Sequence, residues 1–284
     1  MKKANIIVLA GQSNAVGVGY TTYLPKHFPE DKVQKYHDGY ENVQIHFFSH
    51  NQRNDGFVPV KTGCAVGGTN TFGPEVGIAE YLTEAYPDEE FFIVKCAFGC
   101  MSLHRDFCSP SGNVPYDKDA YADQKPDILT AHGQGEEIRP GWCYNELVKI
   151  TRESIALLEE AGYVPEIRGF CWMQGEADAE SLENVALYSH LYDCMLRDFT
   201  ENFGMYMKNC IFADGGVGPI WEFHKELNVV KAEYAASHEN CVYIDTIGAG
   251  LTTTNEPESE PDTAHYDADS VIRLGHLFAE AVRW

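Results

Sequence analysis

The stretch Ile6-Ile7-Val8-Leu9-Ala10-Gly11-Gln12-Ser13-Asn14 is an apolar run of strand length that breaks on a glycine and delivers a serine into a polar turn. A run this uniformly apolar reads as a strand buried on both faces, at the centre of a parallel sheet. At the carboxyl end of such a strand the backbone turns sharply, and the next N–H groups point into the crevice outside the sheet. A serine there is exposed, and its own N–H helps to hold an anion. Gly, Gln, Ser and Asn are equally at home in a plain loop, so the tetrapeptide acquires chemical meaning only through what accompanies it.

Further strand-like runs follow at Phe91 to Ala97, Ile167 to Met173, Cys210 to Asp214 and Cys241 to Asp245, while the polar stretch from Thr21 to Lys61 offers only a short strand candidate at Val43 to Phe48. Between them lie helical patterns. Pro74 to Tyr86 opens on a proline suited to a first turn and carries Val76, Ala79, Leu82 and Tyr86 on one face. Leu147, Ile150, Leu157, Leu158 and Ala161 form a second stripe, Leu182 to Phe203 a third, and Val271, Leu274, Phe278 and Ala279 a C-terminal one. Strands alternating with helices predict an α/β fold, a three-layer α/β/α sandwich around a central parallel sheet. Residues 1–284 are expected to form a single domain with two polar insertions, at about 21–61 and 103–141. Long polar loops at the carboxyl edge of such a sheet shape a binding site, a disordered insertion being the competing account.

The 284 residues, 44% hydrophobic, are enough to bury a large core. With 43 acidic against 21 basic residues the formal charge is −22, which repels phosphate backbones and anionic lipid headgroups, so neither nucleic acid nor a membrane is an expected partner. Met1-Lys2-Lys3 leads straight into a strand rather than into the apolar core of a signal peptide, and no apolar stretch reaches the ~20 residues that span a bilayer. Nine cysteines, an odd number scattered through apolar segments, suit reduced core thiols. A cytoplasmic location is expected.

Three further places could carry chemistry with Ser13. The third long strand exits as Met173-Gln174-Gly175-Glu176, bringing an amide N–H donor and a carboxylate to the same sheet edge, although a turn would use the same residues. Asp262-Thr263-Ala264-His265 precedes the last helix; its three-residue offset lets the carboxylate accept from Nδ1 and leaves Nε2 to take a serine proton, the plainer reading being a satisfied surface histidine. Gly99, just past the strand ending at Ala97, offers an N–H where the main chain can approach a ligand, or simply turns the chain. Cys96, Cys100, His104 and Cys108 recur every four residues, but the first lies in a strand and the spacing matches no paired zinc knuckle, so no metal site is expected.

The order Gly11-Gln12-Ser13-Asn14, Gly73-Pro74-Glu75 opening a helix, a glycine at a strand end, Trp172-Met173-Gln174-Gly175-Glu176 and Asp262-x-x-His265 resembles the SGNH hydrolase superfamily, and within it the carbohydrate acetylesterase branch of sialate O-acetylesterase-like and acetylxylan esterase-like domains. The resemblance runs from Ile6 to about Ala281. It implies a flavodoxin-like sandwich in which Ser13 is the nucleophile, His265 the general base and Asp262 the residue orienting it. The implied oxyanion hole is the N–H of Ser13, the N–H of Gly99 and the side-chain amide of Gln174. Two departures stand out: Gly99-Cys100-Met101 replaces the usual Gly-Gly-Thr, and Glu176 offers a second acid for the histidine. The expected activity is hydrolysis of acetyl or other small acyl esters on carbohydrate hydroxyls through an acyl-serine, without a cofactor, on an acylated saccharide. The alternatives are an SGNH esterase, lipase or thioesterase acting on a non-carbohydrate ester, a catalytically silent carbohydrate-binding module, and a metal-dependent hydrolase.

Overall fold

The computed structural model describes residues 2–66, 70–114, 140–282 and 284. Its main sheet has six longer strands: β1 (Lys2–Gly11), β2 (Tyr40–Ser49), β3 (Phe91–Ala97), β4 (Tyr163–Met173), β5 (Ile211–Gly215) and β6 (Cys241–Ile244). Their spatial order is β6-β5-β4-β1-β3-β2, and every neighbouring pair is parallel. Ile6 to Ala10 of β1 have no exposed surface, which is why that run carries no polar residue.

Without β2 the remaining five strands have the flavodoxin order, and the chain reverses direction across the sheet at β1. A crevice opens at the carboxyl end of such a switch point, and there Ser13, Gly99 and Gln174 leave the three central strands. β2 lies within the expected 21–61 insertion. That segment is more structured than its polar composition suggests, for it adds helix α2 (Glu30–Asp38) and an outer parallel strand. The short strands Gln52–Arg53 and Val58–Val60 pair antiparallel with β2 and cover the sheet edge.

Besides a four-residue turn at Leu24–His27, the other α-helices among the described residues are a single turn, α1 (Ser13–Val16), then α3 (Pro74–Ala85), α4 (Trp142–Glu160), α5 (Leu182–Phe203), α6 (His224–Ser237) and α7 (Ala268–Ala281). Helix α6 escapes sequence reading because it buries only Leu227, Lys231 and Tyr234, so its apolar stripe is interrupted by a lysine. Lys231 Nζ instead donates to Asp214 Oδ1 at 2.7 Å and to the carbonyls of Gln174 and Gly215 at 2.5 and 2.8 Å, tying α6 to the ends of β4 and β5. Of the expected 103–141 insertion, residues 103–114 and 140–141 are described; Tyr116 and Tyr121, whose aromatic rings make the sequence permissive of stacking on a sugar, lie outside the described residues. All nine cysteines are unpaired, and among the described residues no helix is long and apolar enough to cross a membrane.

Helices α3 and α7 meet backbone to backbone. A Cβ on Gly77 would lie 2.1 Å from the carbonyl oxygen of Ile272, and one on Gly275 would lie 2.2 Å from that of Pro74. Gly275→Ala is therefore expected to force the helices apart and lower stability by about 1–3 kcal/mol, read as a shift in urea midpoint, whereas Glu280→Ala on the exposed side of α7 shifts it little.

Burial pushes the Asp214 carboxyl up from 3.8 to about 6, with Lys231 opposing the shift. The folded state therefore holds this proton more tightly than the unfolded chain, and the group's contribution to stability is full below the ordinary value and lost as pH rises through about 6. Wild-type stability relative to Asp214→Asn is expected to fall between about pH 4 and 6 and then to level; a difference that does not change with pH would contradict it.

Candidate active site

Two glycines shape the turn that presents Ser13. Gly11 has φ +142°, and a Cβ there would stand 1.9 Å from the carbonyl oxygen of Met173, so the ends of β1 and β4 can close on each other only around a hydrogen side chain. The N–H of Gln12 then donates to Met173 O at 2.9 Å. Gly17, at φ +95°, ends α1 against Gly73, where a Cβ would come within 2.1 Å of the Gly73 α-carbon. Within residues 11–17 only Ser13 is partly exposed.

The far end of α1 is held by a fully buried ion pair. Lys95 of β3 donates from Nζ to the carbonyl of Val16 at 2.7 Å and to Glu75 Oε2 at 2.6 Å, and neither side chain is exposed. This explains the Gly-Pro-Glu motif: Pro74 opens α3 and places Glu75 under the serine turn. Burial pushes the Glu75 carboxyl up, and Lys95 pulls it back. The signal in the sequence was a lysine inside an apolar strand.

The histidine reaches the same edge from the other end of the chain. Asp262 O accepts from the N–H of His265 at 3.2 Å, closing a turn, and Asp262 Oδ2 lies 2.6 Å from His265 Nδ1. Asn14 fixes that turn beside Ser13. Its Nδ2 donates to Ala264 O at 3.2 Å, and its Oδ1 accepts from the N–H of Tyr266 at 3.1 Å, so the residue after the serine grips both neighbours of His265. Among the described residues no hydrogen bond joins Ser13 Oγ to His265 Nε2, a contact that commonly tightens only when substrate binds. The outer side of the loop is anchored by Glu256, which lies 2.6 Å from His27 Nε2 and accepts from the N–H of Ala268 at 2.8 Å.

Glu176, the second acid near this edge, is fully buried and meets Asn14 rather than the imidazole. Asn14 Nδ2 donates to its Oε1 at 2.8 Å, while its Oε2 has no hydrogen-bond partner among the described residues. Burial pushes this carboxyl up, partly offset by the Asn14 hydrogen bond.

Gly99 brings its α-carbon up to the serine; a Cβ there would be 3.9 Å from Ser13 Cβ and 4.0 Å from His50 Nδ1. His50 follows β2 at φ +52°, is half-buried, and burial lowers its pKa below the ordinary imidazole value. Among the described residues, neither the Ser13 nor the Gly99 N–H has an acceptor. Gln174 is placed differently from a free donor. It is wholly buried; Nε2 donates to Asp178 Oδ2 at 2.6 Å and meets Met101 O at 3.1 Å and Gln12 Oε1 at 3.3 Å, while Oε1 accepts from Tyr188 at 3.1 Å. One N–H is thus committed to a carboxylate and the other is shared between two weaker acceptors.

Asp178 also accepts from the backbone N–H groups of Leu103 and His104, so it fixes the segment beyond Gly99. Sequence reading missed Asp178, although it lies only four residues beyond Gln174, and it missed Asn14, whose position directly after the serine was the available clue. Cys96 sits in β3 and the exposed Cys100 in the following turn, so the fourfold spacing of Cys96, Cys100, His104 and Cys108 does not line up on a helix face.

Asn14 thus ties the turn that carries Ser13 to the loop that carries a carboxylate-backed imidazole, and a serine, such an imidazole and main-chain N–H groups at one sheet edge are the kinds of group that acyl transfer uses. The fold recurs in solved structures of low sequence identity. A protein from Arabidopsis thaliana superposes with a TM-score of 0.64 at 17% identity, covering 99% of this chain and 98% of that one. The protein NanS gives 0.66 at 19%, covering 99% and 96%. A carbohydrate acetylesterase from Xanthomonas citri gives 0.58 at 15%, covering 98% of this chain and 55% of that one. No curated protein matches significantly by sequence. The family model described as carbohydrate esterase, sialic acid-specific acetylesterase matches residues 3–283, and the chain belongs to that family.

Proposed function

We propose that this carbohydrate esterase removes acetyl groups from sugar hydroxyls by an acyl-serine route, with Ser13 as nucleophile, His265 as general base and Asp262 orienting it. The observation that carries the proposal is the grip of Asn14 on residues 264 and 266 together with the 2.6 Å contact of His265 Nδ1 to Asp262. With Nδ1 bonded to a carboxylate, Nε2 is the nitrogen that takes the serine proton.

In the first half-reaction Ser13 Oγ bonds to the ester carbonyl carbon as its proton passes to His265. The carbonyl oxygen becomes an oxyanion facing the N–H groups of Ser13 and Gly99. Gln174 joins as third donor by exchanging its longer contact, to Met101 O or Gln12 Oε1, for the oxyanion while the short bond to Asp178 stays. The C–O bond to the sugar then breaks, and the imidazolium returns its proton to the departing alcohol. Water, deprotonated by the same imidazole, attacks the acetyl-serine; acetate leaves and Ser13 regains its proton. The nine unpaired cysteines favour a reducing, cytoplasmic setting.

Two measurements test this. Acetate release from a panel of acetylated saccharides should disappear in Ser13→Ala and in wild type treated with a fluorophosphonate; release that survives both removes Ser13 from the reaction. Asp262→Asn should lower kcat by up to about 10⁴-fold. Glu176→Gln keeps an oxygen for Asn14 and should cost less than about tenfold. The reverse ranking would transfer the orienting role to Glu176.

A further inference from the structure

Gly99 does not need to be glycine for its own backbone. Its φ lies outside the left-handed range, and among the described residues a Cβ there would meet only Ser13 Cβ at 3.9 Å and the His50 ring at 4.0 Å, both ordinary van der Waals contacts. Gly11, Gly17, Gly77 and Gly275 differ, since a Cβ on any of them would strike main-chain atoms within 2.2 Å. What glycine leaves at position 99 is therefore a space of methyl size within contact distance of both Ser13 and the His50 imidazole.

The width of that space has an upper bound. Ser13 Cβ and His50 Nδ1 can be no farther apart than the sum of those two contacts, which is the span filled by one carbon touching both walls at 3.5–4.0 Å. His50 is also fixed. The N–H of His50 donates to Ala97 O at 2.8 Å, and φ +52° aims the residue by a backbone conformation that L residues adopt reluctantly. Close to it in sequence, Phe48 packs with Phe98 and Trp142 at ring-centroid distances of 5.0 to 5.9 Å, joining the ends of β2 and β3 to α4.

We propose that the gap over Gly99 is the acyl pocket and that His50 is the residue limiting the acyl chain to acetyl. The assignment rests on Ser13 being the nucleophile. An acetyl group on Ser13 places one methyl in the gap; a propionyl or butyryl chain continues into the ring.

The test compares kcat/KM for p-nitrophenyl acetate, propionate and butyrate in the full-length wild type, His50→Gly and His50→Asn. Glycine suits the positive φ and removes the ring; asparagine tolerates the same φ and shortens the side chain. Wild type should lose activity steeply from acetate to butyrate. The butyrate-to-acetate ratio should rise roughly tenfold or more in His50→Gly and by less in His50→Asn, the scale on which a pocket discriminates one methylene. A wild type that takes butyrate as readily as acetate overturns the assignment, as does an unchanged ratio in whichever variants melt like wild type. A Ser13-dependent esterase with an unaltered chain-length profile refutes the pocket alone, whereas ester cleavage that persists in Ser13→Ala refutes the nucleophile.

Discussion

One carboxamide registers this site. Asn14 uses its nitrogen on Glu176 and Ala264 and its oxygen on the N–H of Tyr266, so a side chain one residue from the serine joins segments 162 and 250 positions away. The loop that carries His265 lacks regular structure, and coil of that kind has no ladder of its own to set its position within a fraction of an ångström. A hydrogen-bonded amide buried beside the sheet edge sets it instead, at the cost of burying Glu176 with one oxygen lacking a hydrogen-bond partner among the described residues. In this light Glu176 serves as a support for Asn14, and its nearness to the histidine in the fold follows from the same network. Asp262, half-exposed and within the histidine's own turn, makes the direct contact.

The parts legible in the sequence were those whose physics is local. The buried run of β1 had no other reading, and the stripe from Leu182 to Phe203 matched α5 to the residue because long apolar spacing with one partner face leaves little freedom. The Asp262–His265 contact was legible because it forms within a single turn. Long-range satisfaction was not legible. Helix α6 hid because its buried centre is Lys231, which finds its partners on β4 and β5. Of β2 only the short run Val43 to Phe48 was legible, in a segment that otherwise looked too polar for a sheet, because this outermost of the long strands keeps alternate residues such as Asn42, Gln44 and Phe48 partly accessible. The commitment of Gln174 to Asp178, Met101 and Gln12 depends on three segments meeting, and nothing in Met-Gln-Gly-Glu announces it.

Lys95 and Lys231 follow one design on opposite sides of β1. Each is buried, each pairs with a single carboxylate oxygen, and each spends remaining N–H groups on main-chain carbonyls where a strand or turn leaves the sheet. In both pairs the other carboxylate oxygen, Glu75 Oε1 or Asp214 Oδ2, has no hydrogen-bond partner among the described residues. A buried ion pair with an unsatisfied oxygen is a poor source of stability, since desolvation consumes most of its Coulombic gain. What such a pair does supply is direction. An ammonium fixed by a carboxylate holds a carbonyl in place more firmly than a neutral donor would, and here the carbonyls belong to Val16, at the end of the serine helix, and to Gln174, at the proposed oxyanion hole. Preorganised donors lower a barrier only if they need not move as charge develops. The fold therefore gives up stability beneath the sheet edge to keep the backbone around Ser13 still.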